Sequence, residues 1–393
     1  MCIDCFSRRR LLGLSGLMAG AAALPTARPL RAQPADAPVR IGYLPITDAA
    51  PLLVAHGRGL FEAEGLRAEK PTLLRSWAQV IEAFVAGQVD VVHLLSPMAV
   101  WARFGSRAPL KVVAWNHVDG SALTVAPGIG RVEELGGRTV AIPFWYSIHN
   151  VVLQALLARA GLTPVVKRSG APEAGEVNLV VMPPSDMPPA LAAGRIAGYI
   201  VAEPFNAAAE TLGVGKVLRF TGDVWRNHAC CVVAMQERAL ETRPEWSQKV
   251  VNAVVKAQLW IRGNREDAAR LLSREDPNRY TPHASAVLAK VLAPPAADRA
   301  GYVASGALRH ADWHDPRIDF QPYPFSSYTE ELVRRLKGTL VEGNRGFLEA
   351  LEPAAAAREL VDDRFVRHAL SQVGGLAAFG RPDGFSRAET IAP

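Results

Sequence analysis

The chain has 393 residues, 49% hydrophobic and 21% charged, a balance that excludes an extended disordered protein and is long for a single core, so two lobes are expected. The net charge is +6, but residues 1–32 carry Arg8, Arg9, Arg10, Arg28 and Arg31 against Asp4, and the remainder is close to neutral. That excludes an argument from charge for nucleic acid or an anionic membrane as partner.

The N-terminus reads Ser7-Arg8-Arg9-Arg10-Leu11-Leu12, followed by an apolar stretch from Leu11 to Leu24 that Pro25 ends. This is the pattern of a twin-arginine export signal, too short to span a bilayer, and it predicts a leader over residues 1–32 cut after Ala27 or Ala32. Export of a folded chain to a bacterial periplasm follows, with a soluble, monomeric mature form, because no cysteine stands after the apolar stretch as a lipid anchor. Cleavage removes Cys2 and Cys5 and leaves Cys230 and Cys231, so a disulfide scaffold is not expected.

From Val39 strands and helices alternate, as in an α/β fold with mostly parallel sheets. Strands are expected at Val39–Leu44, Val89–Leu94 and Lys111–Trp115, and helices at Pro51–Glu64 and Ala78–Ala86, with Gly65 and Gly87 as stops. The pattern restarts with a strand at Arg138–Ile142 and a helix from His149 to Ala160. Phe84–Pro97 (FVAGQVDVVHLLSP) aligns with Leu191–Pro204 (LAAGRIAGYIVAEP) without a gap, which points to a duplicated lobe. Lobe one is expected over 38–137 and 229–393, including a helical C-terminal tail, and lobe two over 138–228. Cys231–Met235 reads as a strand returning to lobe one, and Glu245–Asn264 and Asp267–Leu272 as helices.

Ligands bind beyond the carboxyl ends of strands in open parallel sheets, so the cleft between two such lobes is the expected site. Thr47 and Asp48, in the loop after the first strand, are contacts by position and equally cap-forming residues. Trp145 and Tyr146 (IPFWYSIHN) are a rare aromatic run for a loop, and His149 follows Ser147, the expected helix cap. Exposed N–H groups there favour an anion, while the helix dipole disfavours a charged imidazole. Glu203 ends a lobe-two strand and either meets a ligand or cation or pairs with a basic residue such as Arg226. His228, Cys230 and Cys231 (NHACC) fall on the second crossover. Burial, a pocket wall, a metal set with His228, His149 or Glu203, and a vicinal disulfide are all open for the thiols. Alternation along a strand predicts that only one of them faces the cleft. His310 and His314 are expected to share a surface helix face.

The run RIGYLPITDAAPLLVAHGRGLFEAEGL (Arg40–Leu66), SWAQV (Ser76–Val80), HLLSPMAVW (His93–Trp101), MPPSDM (Met182–Met187), AEPFN (Ala202–Asn206) and FQPYPF (Phe320–Phe325) resembles the periplasmic nitrate- and bicarbonate-binding proteins of ABC importers. The wider group also binds sulfonates, taurine and thiamine-pyrimidine precursors. The resemblance implies a type II periplasmic-binding-protein fold, two α/β lobes around a ligand cleft, with no catalysis and no cofactor. Its implied partners are a small anionic or planar ligand and the permease and ATPase of the importer. It implies pocket positions at Trp77, Ser121, His149, Ala202 and Cys231, and Pro184, within MPPSDM, is a further expected ligand contact. Trp77 and His149 match the relatives, whereas Ser121 replaces a glutamine, Ala202 a glycine and Cys231 a lysine. Some wider relatives synthesise a thiamine pyrimidine with a cysteine-rich iron segment, which this chain matches only in its adjacent cysteines. A metal-dependent binding protein on the same clamshell is the other reading.

Overall fold

The computed structural model describes residues 37–313 and 317–393; the expected leader, its cysteines and His314 lie outside the described residues. In chain order the strands are β1 (Ile41–Tyr43), β2 (Thr72–Leu73), β3 (Val91–Leu95), β4 (Leu110–Trp115), β5 (Val118–Asp119), β6 (Ser121–Val125), β7 (Arg138–Ile142), β8 (Thr163–Val165), β9 (Glu176–Val181), β10 (Gly198–Ala202), β11 (Lys216–Phe220), β12 (Cys231–Gln236) and β13 (Ile318–Asp319). They form a five-stranded sheet, β2-β1-β3-β12-β4, a six-stranded sheet, β11-β6-β10-β7-β9-β8, and the short pair β13-β5.

The duplication is visible in the strands. β3 and β10 occupy aligned positions of the two matched segments, and each runs parallel to a neighbour in its sheet, β1 or β7. Each is fully buried along its length, as a strand covered by helices on both faces must be. The stop glycines correspond too: Gly87 and Gly194 sit at φ 69° and 66°, a left-handed conformation that costs a glycine little.

Three local expectations are corrected. The helix expected over Pro51–Glu64 is two, Ala50–Gly57 and Leu60–Ala63, because Gly59 at φ 64° turns the chain between them. The sheets are more mixed than the pattern suggested: β12 runs antiparallel between β3 and β4, and β6 antiparallel between β10 and β11. The first crossover lies at residues 117–120 rather than at 137, since β6 already belongs to the second sheet; Asp119 at φ 59° and Gly120 at φ 77° make the change of direction.

The two crossovers lie side by side. Val118 bridges Ala229 antiparallel, the Asp119 N–H donates to the His228 carbonyl at 2.9 Å, and the Asn116 N–H donates to the Cys231 carbonyl at 3.0 Å. β13 flanks them, with Ile318 opposite Asp119. The Arg317 guanidinium forms an ion pair with Glu203, and both side chains are buried. Glu203 therefore does not pair with Arg226, whose exposed side chain lies 5.8 Å from the centre of the Trp313 ring.

Removing one member of a buried ion pair strands the other charge. Arg317→Ala should therefore lower stability by about 3–5 kcal/mol in urea unfolding, whereas Arg226→Ala should stay within about 0.5 kcal/mol of the parent. Equal effects would show that Glu203 does not depend on Arg317.

Candidate functional site

The loop after β1 enters the space between the sheets. Thr47–Ala49 is a single 3-10 turn in which neither Thr47 nor Asp48 caps a helix. Thr47 is committed instead to the backbone of the other lobe: its N–H and its hydroxyl each donate to the Glu203 carbonyl at 3.0 Å. Asp48 turns into a wholly buried cluster with His117, Cys230 and Cys231, whose donor atoms all lie within 4.8 Å of one another.

Both thiols point into this cluster, contrary to the expectation of one. Cys230 stands on a bend just before β12, so the alternation of a strand does not yet apply at that residue. Both sulfurs are free thiols. Cys230 and Cys231 donate to Asp48 Oδ2 at 3.4 and 3.3 Å. His117 Nε2 lies 2.9 Å from the same oxygen, in a direction that makes no hydrogen bond.

Lobe two adds two side chains. Ser147 caps the helix Ile148–Arg159 by accepting from the Asn150 N–H, which places His149 in its first turn. His149 Nε2 is 2.9 Å from Ser121 Oγ and 3.7 Å from Cys230 Sγ, and Ser121 Oγ is 3.6 Å from the same sulfur. The Ser121–His149 contact has the atoms of a nucleophile and base, but His149 Nδ1 has no hydrogen-bond partner among the described residues to fix the tautomer, as a hydrolytic triad requires.

The other expected contacts lie around this centre or away from it. Trp77 is 2% exposed and packs on His93, ring centres 5.3 Å apart. His93 Nε2 accepts the Leu44 N–H at 2.9 Å, which fixes the first-strand loop. Tyr146 stacks on Trp101 and donates to the Asn344 carbonyl, so it faces the C-terminal tail, and Trp145 beside it is half-buried. His228 Nε2 contacts Thr221 Oγ1 at 2.8 Å rather than joining the quartet. Pro184 lines a cavity of about 480 Å³ shared with Ile46, Arg75, Phe205, Arg274 and Arg279. Ile46 borders that cavity and the next two residues lead inward to the cluster. His310 is not on a helix and is held by Asp223.

His117 was not anticipated. Its signal was present, since WNHVD places a histidine two residues past the end of β4, where an open sheet presents side chains to a ligand. Burial opposes a charge on His117, but the Asp48 carboxylate outweighs it and lifts the imidazole to about 10. Burial lifts Asp48 to about 6, with His117 pulling the other way. Burial also resists ionisation of Cys230, yet the Cys231 thiol and the imidazoles of His149 and His117 hold it well below its ordinary value. Cys231 is pushed well above its own by burial and by Cys230. His93, buried without a carboxylate beside it, is lowered to about 3 and is neutral.

A model of the NMT1-like family matches residues 32–273, well over half of the chain. The chain belongs to the NMT1-like family. Among curated relatives of this NMT1-like chain, the nitrate/nitrite binding protein NrtA of Nostoc sp. is 24% identical over 257 residues, 60% of this chain and 56% of that protein. The nitrate import ATP-binding protein NrtC of Synechocystis sp. is 28% identical over 231 residues, 55% of this chain and 34% of that protein. The chain thus spans about half or less of the length of these relatives. In structure, it superposes on the periplasmic nitrate-binding protein NrtA of Synechocystis with a TM-score of 0.72 over 90% of this chain and 93% of that one, at 19% identity. The fold is that of the periplasmic binding proteins, two α/β lobes about a cleft. No helix among the described residues is long and apolar enough to cross a membrane.

Trp77 fills core volume against His93, so Trp77→Ala should cost about 3–5 kcal/mol in chemical denaturation. A loss under about 1 kcal/mol would show that the ring is not part of the packed core.

Proposed function

We propose that this chain is the solute-binding component of an ABC importer. It closes its two lobes about a small anionic or planar solute of the nitrate, nitrite, bicarbonate or sulfonate class and presents it to a permease and ATPase at the inner membrane. Export to the periplasm through the twin-arginine pathway, and a monomeric binding protein, belong to the same reading. The observation that carries it is the convergence of polar side chains from both lobes and both crossovers on one buried centre: Asp48, Ser121, His149 and Cys230 meet there. The relatives named for nitrate binding and nitrate import are consistent with it.

Within the site, Ser121 and His149 supply hydrogen-bond donors to an anion, and Arg75, Arg274 and Arg279 at the cavity give the mouth a positive field that draws anions in. Trp145 and Pro184 supply apolar wall and Cys231 the back, whereas Trp77 lies in the core, Tyr146 faces the C-terminal tail and His228 is held by Thr221. Thr47 and Glu203 tie the lobes rather than touch the solute. The lysine of the nitrate-binding relatives is replaced here by Cys231, and the protonated His117 is already matched to Asp48. The synthetic-enzyme reading finds no support in the cluster, which holds two adjacent thiols and a Ser121–His149 pair without an orienting third group.

Thermal melting of the full chain with nitrate, nitrite, bicarbonate, taurine and alkyl sulfonates tests this. A true solute at a hundred times its dissociation constant should add about 2.7 kcal/mol, a clear rise in midpoint. His149→Leu should weaken binding of that solute by about 1.5–3 kcal/mol, the worth of a hydrogen bond to a charged group. No shift with any of these anions, with or without metal ions, would overturn the reading.

A further inference from the structure

We infer that Asp48, His117, Cys230 and Cys231 form a binding site for a thiophilic d10 metal ion, with Zn2+ the best match, at the base of the cleft. The inference rests on the reading of this buried centre as the place where the lobes meet their ligand, and it names a metal that an anion could meet there.

The donor set comes first. Two thiols, one imidazole and one carboxylate are the mixed sulfur, nitrogen and oxygen ligands that zinc takes, and hard cations such as Ca2+ or Mg2+ do not seek thiolate. The spacing agrees. Zinc lies about 2.3 Å from sulfur and about 2.0–2.2 Å from nitrogen or oxygen, so four donors at tetrahedral angles stand roughly 3.3–3.8 Å apart. Here the sulfurs are 3.4 and 3.3 Å and His117 Nε2 is 2.9 Å from Asp48 Oδ2, and no pair in the quartet exceeds 4.8 Å.

A second, independent observation is the unspent bonding capacity of the same groups. Asp48 Oδ1 and His117 Nδ1 are completely buried and have no hydrogen-bond partner among the described residues. A buried polar atom left so costs on the order of 1–3 kcal/mol, and a bound ion is one of the few ways to recover it. Ser121 Oγ and His149 Nε2, at 3.6 and 3.7 Å from Cys230 Sγ, stand where outer partners orient a thiolate ligand. Loading forms two metal–sulfur bonds and one bond each to the His117 nitrogen and the Asp48 carboxylate, and the thiol protons together with the imidazolium proton of His117 leave to solvent. The ion then lies beside the Ser121–His149 pair, and for it to share an anion with that lobe-two donor one protein ligand must yield its place or the shell must expand to five. Because every donor is buried, the lobes must part for the ion to enter.

The test uses the full chain with Cys2→Ser and Cys5→Ser, so that only the crossover thiols remain, reduced and stripped of metal. Titration with Co2+ should give one equivalent of a thiolate-to-cobalt charge-transfer band with the intense visible bands of tetrahedral cobalt, and Zn2+ should displace both. Cys231→Ser and Asp48→Asn, each shown to be folded by circular dichroism, should weaken the metal at least about 10–100-fold, the loss that even an outer partner's removal brings. A folded parent without the charge-transfer band would overturn the site, as would an unchanged band in folded Cys231→Ser. The anion melts, repeated on zinc-loaded and metal-free protein, separate the two readings. Anion stabilisation that needs zinc supports both. Anion stabilisation of the metal-free protein that survives Cys231→Ser overturns the metal's role and leaves solute import standing. A cobalt band with no anion response supports the metal site and overturns the anion as solute.

Discussion

The antiparallel contact between the two crossovers is the constraint on which the rest depends. Val118 against Ala229, with Asn116 and Asp119 hydrogen-bonded to Cys231 and His228, fixes where the chain leaves the first sheet and where it returns. Because the crossovers are bonded to each other, His117 and Cys230–Cys231 are brought together although more than a hundred residues separate them. The β1 loop then has only to bring Asp48 into the same space. Thr47, bonded twice to the Glu203 carbonyl, holds that loop against the second lobe. Arg317, beside β13, neutralises the Glu203 carboxylate from behind and keeps an acid at the lobe junction from being an isolated buried charge.

The electrostatics of the centre follow from this packing. Burial disfavours charge on each member, yet the members offset one another: Asp48 sustains a proton on His117, and the imidazoles with the second thiol favour an ionised Cys230. The result is a cluster in which acid, base and thiols share few protons and none has its full set of partners.

Much of the architecture was legible before any tertiary contact was known. The alternation of strands and helices, the stop glycines at 65 and 87, the serine cap at 147 and the repeat that aligns Val91–Leu95 with Gly198–Ala202 are all local, and each is where the pattern placed it. What local pattern misplaced was governed by distant partners. β6 reads like any buried strand, and only its pairing with β10 assigns it to the second sheet. Glu203 has Arg226 far nearer in sequence than Arg317, but Arg317 reaches it because β13 packs on the crossover. His117 went unnoticed because a single histidine after a strand has no significance until the second crossover lies beside it.

The sequence by itself determined that this is a two-lobed α/β protein with a duplicated core, that its thiols sit on a crossover and that the loops after the strands carry the polar side chains. Those properties rest on periodicity, turn residues and order along the chain, which act over a few residues. Only the tertiary structure decided that both thiols turn inward, that Asp48 and His117 join them, that Trp77 is core and that Tyr146 belongs to the tail. These depend on a bend at Cys230 and on contacts spanning up to about half the chain, which no local pattern encodes because the partner is chosen by packing rather than by proximity in sequence.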